Sequence, residues 1–305
     1  MSQRAEFIKP KSKVAIVTTA RKISIDDVLP MKRRLESWGL EVVLGKTINT
    51  NAEFQLADTD AKRAEDLQAF LDAKDISAIF CAKGGYGTAR IIEMLDFSAF
   101  VKYPKWIAGF SDVTVLLSHL YSVLDYQSIH GTMSIDIKDN TSANAPSVES
   151  LKRCIFGELT PVKWKANELN IKGKCNGEVL CGNLSVLYSL LGSVSFGSTD
   201  GKILVIEDLD EYIYHIDRMM IALKRSGKLS NLAGLVVGSF SDMHDNTIPF
   251  DRRVNDIIID VVKDYNYPLC FDFPLGHIGE SNTAIINGAF STLEITTQGC
   301  TLQQF

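Results

Sequence analysis

The first half of the chain alternates between short apolar runs and segments with helical spacing. Val28, Met31 and Leu35 recur at that spacing, and Gly39 would end the helix that they predict. Such alternation indicates βαβ units and a mostly parallel sheet, in which ligand sites form beyond the carboxyl ends of the strands. The predicted strands are residues 13–19, 40–44, 76–81 and 106–109, and the predicted helices are 26–39, 61–74, 88–94 and 113–124.

The second half of the chain has a larger share of predicted strands. They lie at residues 177–181, 202–206, 235–237, 270–273, 283–286 and 292–295, with helices at 183–191, 213–226 and 254–265. The polar residues 136–150 between the halves predict a loop. A length of 305 residues suits two domains. We therefore predict an α/β protein with an N-terminal parallel-sheet domain (1–137), a connecting segment (138–169) and a C-terminal mixed α/β domain (170–305).

Charge and composition exclude several classes of function. The chain has 32 Lys and Arg against 37 Asp and Glu, a net charge of −5. This argues against nucleic-acid and anionic-membrane partners, because both require a basic surface. The longest uncharged stretch, 179–199, is too polar to span a bilayer, and the first residues show no signal-peptide pattern. None of the six cysteines has C-x₂-C spacing, so no metal is predicted and the expected location is the cytoplasm.

The sequence Gly-Phe-Ser-Asp-Val at residues 109–113 joins a predicted strand to a predicted helix. A serine in such a tight turn resembles a nucleophile elbow, which raises the hydroxyl into a cleft and directs the next backbone N–H at a developing oxyanion. The second glycine of the elbow motif is replaced by Val113. The alternative interpretation is that Ser111 or Asp112 caps the following helix.

A glycine-rich stretch, Lys-Gly-Gly-Tyr-Gly at residues 83–87, also lies between a predicted strand and a predicted helix. Its glycines permit positive φ and free backbone N–H groups, which could bind phosphate or complete an oxyanion hole. It matches neither a dinucleotide-binding fingerprint nor a P-loop. A plain tight turn explains the pattern equally well.

Two further segments supply acid and base candidates. Glu207 and Asp208 end an apolar strand, although acids in that place also suit a solvated loop. His277 stands between Gly276 and Gly279 in a predicted loop, which makes it the best base candidate of the five histidines, while His130 is a candidate for lining the cleft. A serine nucleophile needs a histidine to take its proton and a carboxylate to orient that histidine. The order serine, glutamate, histidine is consistent with this chemistry.

Taken together, these segments resemble the LD-carboxypeptidase family of serine peptidases. The resemblance extends along almost the whole chain, and its parts occur in the same order as in the family. It consists of residues 83–87, 109–112, His-Gly-Thr-Met at 130–133, Gly-Asn-Leu-Ser at 182–185, Glu207 and Asp208 with the helix around 217–219, and Phe-Pro-Leu-Gly-His at 273–277.

The resemblance implies a role for several residues. Ser111 would be the nucleophile, His277 the general base and Glu207 the acid that orients it, with an oxyanion hole formed by the backbone N–H groups of Gly85 and Asp112. The family fold implies a flavodoxin-like first domain that carries the serine and a second domain that carries the other two residues. Further substrate contacts would come from Lys83, Tyr86 and His130. The family commonly has Arg at the position of Lys83, which lacks the bidentate fork.

The implied reaction is hydrolysis of the amide between an L-centre and a C-terminal D-residue, releasing D-Ala from a murein tetrapeptide without a metal or organic cofactor. One alternative is the same triad acting on a peptidyl-nucleotide antibiotic, which would need aromatic side chains to stack on a base. The short segment 242–250 has no Trp, and this favours the murein peptide. A rival from another class is a non-catalytic flavodoxin-like binding protein. The expected partners are a small peptide substrate and a second copy in a homodimer.

Overall fold

The computed structural model describes residues 2–138, 145–278 and 282–305, which form two β-sheets with packed helices. The strands are β1 Lys13–Val17, β2 Glu41–Leu44, β3 Ile76–Cys81, β4 Trp106–Gly109, β5 Ser128–His130, β6 Val162–Trp164, β7 Gly173–Asn183, β8 Ile203–Leu209, β9 Gly234–Ser241, β10 Leu269–Cys270, β11 Ile285–Asn287, β12 Phe290–Ile295 and β13 Cys300–Gln304. The α-helices are α1 Ile25–Ser37, α2 Asp60–Asp72, α3 Ser98–Lys102, α4 Thr114–Leu124, α5 Ala145–Phe156, α6 Leu184–Ser189, α7 Ile213–Arg225 and α8 Val254–Val262. Short 3₁₀ turns lie at Thr88–Arg90, Ile92–Met94, Ser111–Val113 and Ser134–Asp136.

The first sheet has the order β11-β5-β4-β3-β1-β2, and its strands β1 to β5 are parallel. Both faces are covered: Val14 and Ile16 pack into one apolar cluster, and Ala15 and Val17 pack into another. The predicted parallel sheet is thus confirmed. Because β2 and β3 lie on opposite sides of β1, the strand order reverses between β1 and β3, where a binding crevice is expected.

The edge strand of the first sheet comes from the far end of the chain. Strand β11 pairs antiparallel with β5, placing Ile285 opposite His130. Asn287 then links the two sheets, since its amide oxygen accepts from Cys181 N at 2.9 Å and its amide nitrogen donates to Leu117 O at 3.2 Å. These bonds fix the second sheet relative to the first.

The second sheet has the order β10-β9-β8-β7-β12-β13-β6. Its β10 to β7 half is parallel and its β7 to β6 half is antiparallel, which confirms the predicted mixed architecture. The first six residues of β8 are fully buried, up to Asp208. Among the described residues, none of the helices combines the length and the apolar character that crossing a bilayer requires.

The structure adds α3, β5, β6 and β13, which were not predicted, and it contradicts two of the predicted segments. The predicted helix at 88–94 is a pair of 3₁₀ turns. The predicted loop at 136–150 is wrong from Ala145 onward, where α5 begins, while residues 139–144 lie outside the described part of the chain. Val148, Leu151 and Ile155 form a buried helical stripe that the polar residues before them obscured. The domain boundaries stay a prediction.

Candidate active site

A cleft opens at the carboxyl ends of strands from both sheets. The first sheet contributes the loops that follow β1, β3 and β4, and the second contributes the loops that follow β8 and β10. Its lining includes Arg21, Lys83, Ser111, Asp136, Asp208 and His277. The reversal of strand order between β1 and β3 leaves room for this crevice, as expected for an open parallel sheet.

Ser111 occupies the turn between β4 and α4 with a positive φ of 60°. This left-handed conformation is uncommon for a residue other than glycine and is found where a turn holds a functional side chain. Neither the 3₁₀ turn at Ser111–Val113 nor α4 has a side-chain cap, so the helix-cap interpretation is wrong. Within the described residues, the Ser111 hydroxyl makes no hydrogen bond.

The glycine-rich loop lies directly against this turn. A Cβ atom added to Gly84 would be 3.1 Å from Ser111 Cβ and 3.3 Å from Asp112 N. The Asp112 carboxylate holds the loop, because its Oδ2 accepts from Thr88 N at 2.9 Å. The buried Arg63 holds the loop from the other side by donating to Gly87 O at 3.0 Å and to Thr19 O. Burial raises the pKa of Asp112.

Glu207 and His277 form a preassembled pair. Glu207 is fully buried on β8, and its Oε2 lies 2.7 Å from His277 Nδ1. A ring whose Nδ1–H donates to a carboxylate carries its lone pair on Nε2. Burial alone would lower the pKa of His277, but the hydrogen bond and charge of Glu207, with Asp136 and Asp208, raise it above the ordinary value. The pair therefore has the tautomer and the basicity that a general base needs.

Asp208 is also buried, so the solvated-loop interpretation of these two acids is wrong. Its carboxylate accepts from Asn183 Nδ2 at 2.9 Å and from Ser185 N at 2.8 Å, at the start of α6. Burial, together with the neighbouring charge of Glu207, raises the pKa of Asp208 to about 7. Asp208 thus fixes the side of the cleft that is formed by the end of β8 and the start of α6.

The chain matches known proteins along most of its length. Models of the LD-carboxypeptidase N-terminal and C-terminal domains match residues 14–131 and 176–293. The chain belongs to the LD-carboxypeptidase family. The probable murein peptide carboxypeptidase of Bacillus subtilis is 36% identical over 271 residues, 86% of this chain and 83% of that protein.

Other known proteins also match this chain over most of its length. The murein tetrapeptide carboxypeptidase of Pseudomonas aeruginosa is 29% identical over 92% of this chain and 93% of its own length. The microcin C7 self-immunity protein MccF of Escherichia coli is 24% identical over 80% of this chain and 78% of its own. The muramoyltetrapeptide carboxypeptidase of Oxalobacter formigenes has the same fold, with a TM-score of 0.87, 24% identity and coverage of 96% and 98% of the two chains.

The residues predicted to contact substrate lie in different surroundings in this LD-carboxypeptidase. Lys83 is half-buried and lines the cleft, whereas Tyr86 is 52% exposed and is not among the lining residues. His130 is fully buried beside Phe110, with ring centroids 5.7 Å apart, and neither ring nitrogen has a hydrogen-bond partner in the described part of the chain. Burial lowers the pKa of His130 to about 4. A direct contact between His130 and substrate stays a prediction, which this burial disfavours.

The sequence patterns missed Arg21 and Asp136, which also line the cleft. Arg21 follows β1, whose carboxyl end faces the crevice, and this placement is the one signal that could have identified it. Asp136 likewise lies in the segment that follows β5, a strand that the sequence patterns did not predict. Gly279, one of the two glycines beside His277 in the sequence, lies outside the described residues. In the parts of the chain that the structure describes, no group of three or more potential ligands could hold a metal ion.

Proposed function

We propose that this chain is a serine carboxypeptidase that releases D-Ala from the C-terminus of a murein tetrapeptide. The observation that carries the proposal is the meeting of Ser111, in its strained turn, and the Glu207–His277 pair at one cleft. The names of the B. subtilis and P. aeruginosa relatives support the substrate. The presence of Ser111 and of the Glu207-bonded His277 in the lining of one cleft also favours an enzyme over a non-catalytic binding protein.

In the proposed mechanism, His277 Nε2 takes the proton of Ser111 Oγ as that oxygen attacks the carbonyl carbon before D-Ala. The backbone N–H groups of Gly85 and Asp112 bind the oxyanion, and Glu207 stabilises the imidazolium. His277 then protonates the amide nitrogen, the C–N bond breaks and D-Ala leaves. Water, deprotonated by His277, cleaves the ester, and the proton returns to Ser111.

Two of the proposed substrate contacts have a simple chemical reason. Lys83 offers a positive charge within the cleft, and Tyr86 offers an exposed ring next to the cleft residue Gly85. The buried His130 fits a supporting role behind Phe110 better, since its ring is neutral near pH 7. The cytoplasmic location and the homodimer stay predictions.

A defined-peptide assay tests this function. The wild-type chain is incubated with a murein tetrapeptide, and free D-Ala is measured beside the tripeptide product. We expect Ser111→Ala to abolish release while its circular dichroism spectrum and melting temperature stay close to those of the wild type. Ser189→Ala, which alters an exposed serine at the end of α6, is the matched control and should release D-Ala normally. Equal release by the Ser111 variant would refute the assignment.

A second candidate substrate is the aminoacyl-nucleotide amide of a peptidyl-nucleotide antibiotic. The relationship to MccF supports it. An aromatic pair next to the cleft residue Glu211 also supports it, since Tyr212 directly follows Glu211 and its ring lies 5.6 Å from that of His244. The same assay distinguishes the candidates when an aminoacyl-nucleotide conjugate is supplied in parallel. We expect faster cleavage of the tetrapeptide, and the reverse preference would favour the antibiotic.

A further inference from the structure

Arg21 crosses the glycine-rich loop at the residue proposed to bind the oxyanion. Its backbone N–H donates to Gly84 O at 3.4 Å. Its side chain lies over Gly85, where an added Cβ would come within 2.6 Å of Arg21 Nε. Gly85 also has a positive φ of 103°. Glycine at position 85 therefore fits both the turn and the arginine that lies across it.

The guanidinium of Arg21 lines the cleft and has more N–H donors than its partner Gln55 accepts. When the amide of Gln55 is oriented to satisfy its neighbours, its oxygen accepts from Arg21 Nε and Nη2, each at 3.2 Å. Arg21 and Lys83 lie on neighbouring loops; in the described ranges Arg21 has no salt-bridge partner, whereas Lys83 acts on the charge of Asp27. An arginine without a salt-bridge partner, with a lysine on the neighbouring loop, favours an anionic ligand on this side of the cleft.

We propose that Arg21 binds the free carboxylate of the C-terminal residue that the enzyme releases. This inference rests on the proposed function, because it uses the position of the scissile amide. In a peptide, the terminal carboxylate carbon is three bonds from the carbonyl carbon under attack. A guanidinium beside Gly85, whose N–H would hold the oxygen of that carbonyl, is thus within a residue's length of the carboxylate. Lys83 adds charge, but its ammonium cannot form the bidentate pair that guanidinium forms.

The consequence is selection for a free C-terminus. Charge-assisted hydrogen bonds to a carboxylate are stronger than those to a neutral amide. A peptide whose last carboxyl is blocked, or is joined to another residue, cannot make these charge-assisted hydrogen bonds. The cations on this side of the cleft are then left without an anion. The cleft would then act on chain ends and reject internal bonds of the same chemistry.

Two tetrapeptides that differ only in a free acid or a carboxamide at the last D-Ala test the proposal. We expect the wild type to favour the acid by about 10²-fold in kcat/KM. Arg21→Ala should lower kcat/KM for the acid by a similar factor and leave the amide within about threefold, so the preference disappears. Arg21→Lys should keep part of the preference. Lys22→Ala, which alters the exposed neighbour of Arg21, should keep all of it.

Several outcomes would overturn the role of Arg21. An equal loss on both peptides in Arg21→Ala would show that Arg21 only supports the Gly85 loop. An unchanged preference in that variant, or a preference abolished by Lys83→Ala and not by Arg21→Ala, would place the carboxylate elsewhere.

Calorimetric titration of the Ser111→Ala variant separates this proposal from the reaction itself. If the wild type released neither D-Ala from the acid peptide nor D-alaninamide from the amide peptide, the proposed function would fail. Binding of the acid but not the amide, lost on adding Arg21→Ala, would still support the carboxylate site. Binding that does not distinguish the two peptides would overturn it.

Discussion

The two halves of the candidate site are held in different ways. The acid–base half, Glu207 and His277, is joined by one side-chain contact of 2.7 Å around a fully buried carboxylate. The nucleophile half, Ser111 and Asp112 with loop 83–88, depends on backbone geometry and on the Asp112 carboxylate that holds Thr88 N. The comparison teaches that the second sheet sets the basicity of His277 and that the first sheet sets the position of Ser111. The following predictions test that division, from the largest expected effect to the smallest.

Glu207→Gln should have the largest effect, because it removes the charge that orients His277 and stabilises its imidazolium. By analogy with other serine triads, we expect kcat to fall by about 10⁴-fold. Steady-state release of D-Ala measures it, with Glu294→Gln, an exposed acid on β12 of the same sheet, as the control. A loss below tenfold would mean that the acid–base half does not work through Glu207.

Asp112→Ala should loosen the nucleophile half without touching His277. Thr88 N would lose its acceptor, and the loop that carries Gly85 would shift. We expect kcat to fall by about 10²-fold, comparable to the loss of one oxyanion donor, and the free energy of unfolding to fall by about 1–3 kcal/mol. Asp112→Asn keeps an acceptor oxygen and should recover most of both. Full activity in the alanine variant would contradict the proposal that the Asp112 carboxylate holds the loop at 83–88 in place.

The acid–base half also predicts how kcat/KM depends on pH. Because the pKa of His277 is raised, the neutral base is lost as the pH falls through a value above the ordinary 6.5. The acidic limb of kcat/KM should therefore have its midpoint above that value. NMR titration of the His277 ring in Glu207→Gln should show a lower midpoint, since burial then acts with less opposition. An unshifted midpoint would indicate that Glu207 does not set the basicity of His277.

Alanine substitutions at two glycines with positive φ separate the cost of backbone strain from the effect on the site. These substitutions have the smallest expected effect on stability. Gly227→Ala, at a φ of 78° with no atom within 4 Å of the new Cβ, should cost about 1–2 kcal/mol of unfolding free energy and leave kcat/KM unchanged. Gly85→Ala should cost at least as much and also lower kcat/KM, because its Cβ displaces Arg21. Equal activity in the two variants would contradict the close approach of Arg21.

Much of the fold follows from local patterns in the sequence. The predicted bounds of β3 and β4 agree with the structure because both are short apolar runs that are almost entirely buried. The pairing of β11 with β5 has no local signal, since it joins residues far apart in sequence. Helix α5 was missed because polar residues lead into it. Local pattern therefore predicts elements, while long-range pairing decides how the sheets meet.

The candidate site, like the fold, could be predicted only in part from local sequence patterns. Ser111, Glu207 and His277 could be selected from turn and strand-end patterns together with the family resemblance. Arg21 has only its position after β1 as a signal, and the use of that position depends on the reversal of strand order between β1 and β3. His130 was expected to line the cleft, but strand β11 and Phe110 cover it. Burial of that kind depends on chain segments that no local pattern brings together.

Covalent labelling with a fluorophosphonate tests most directly whether the two halves act as one site. We predict one adduct, located on Ser111 by peptide mass spectrometry and absent in Ser111→Ala. In His277→Ala the labelling rate should fall by at least about 10²-fold, since the serine then lacks its base. No adduct, an adduct on another residue, or an equal rate in the His277 variant would contradict the account.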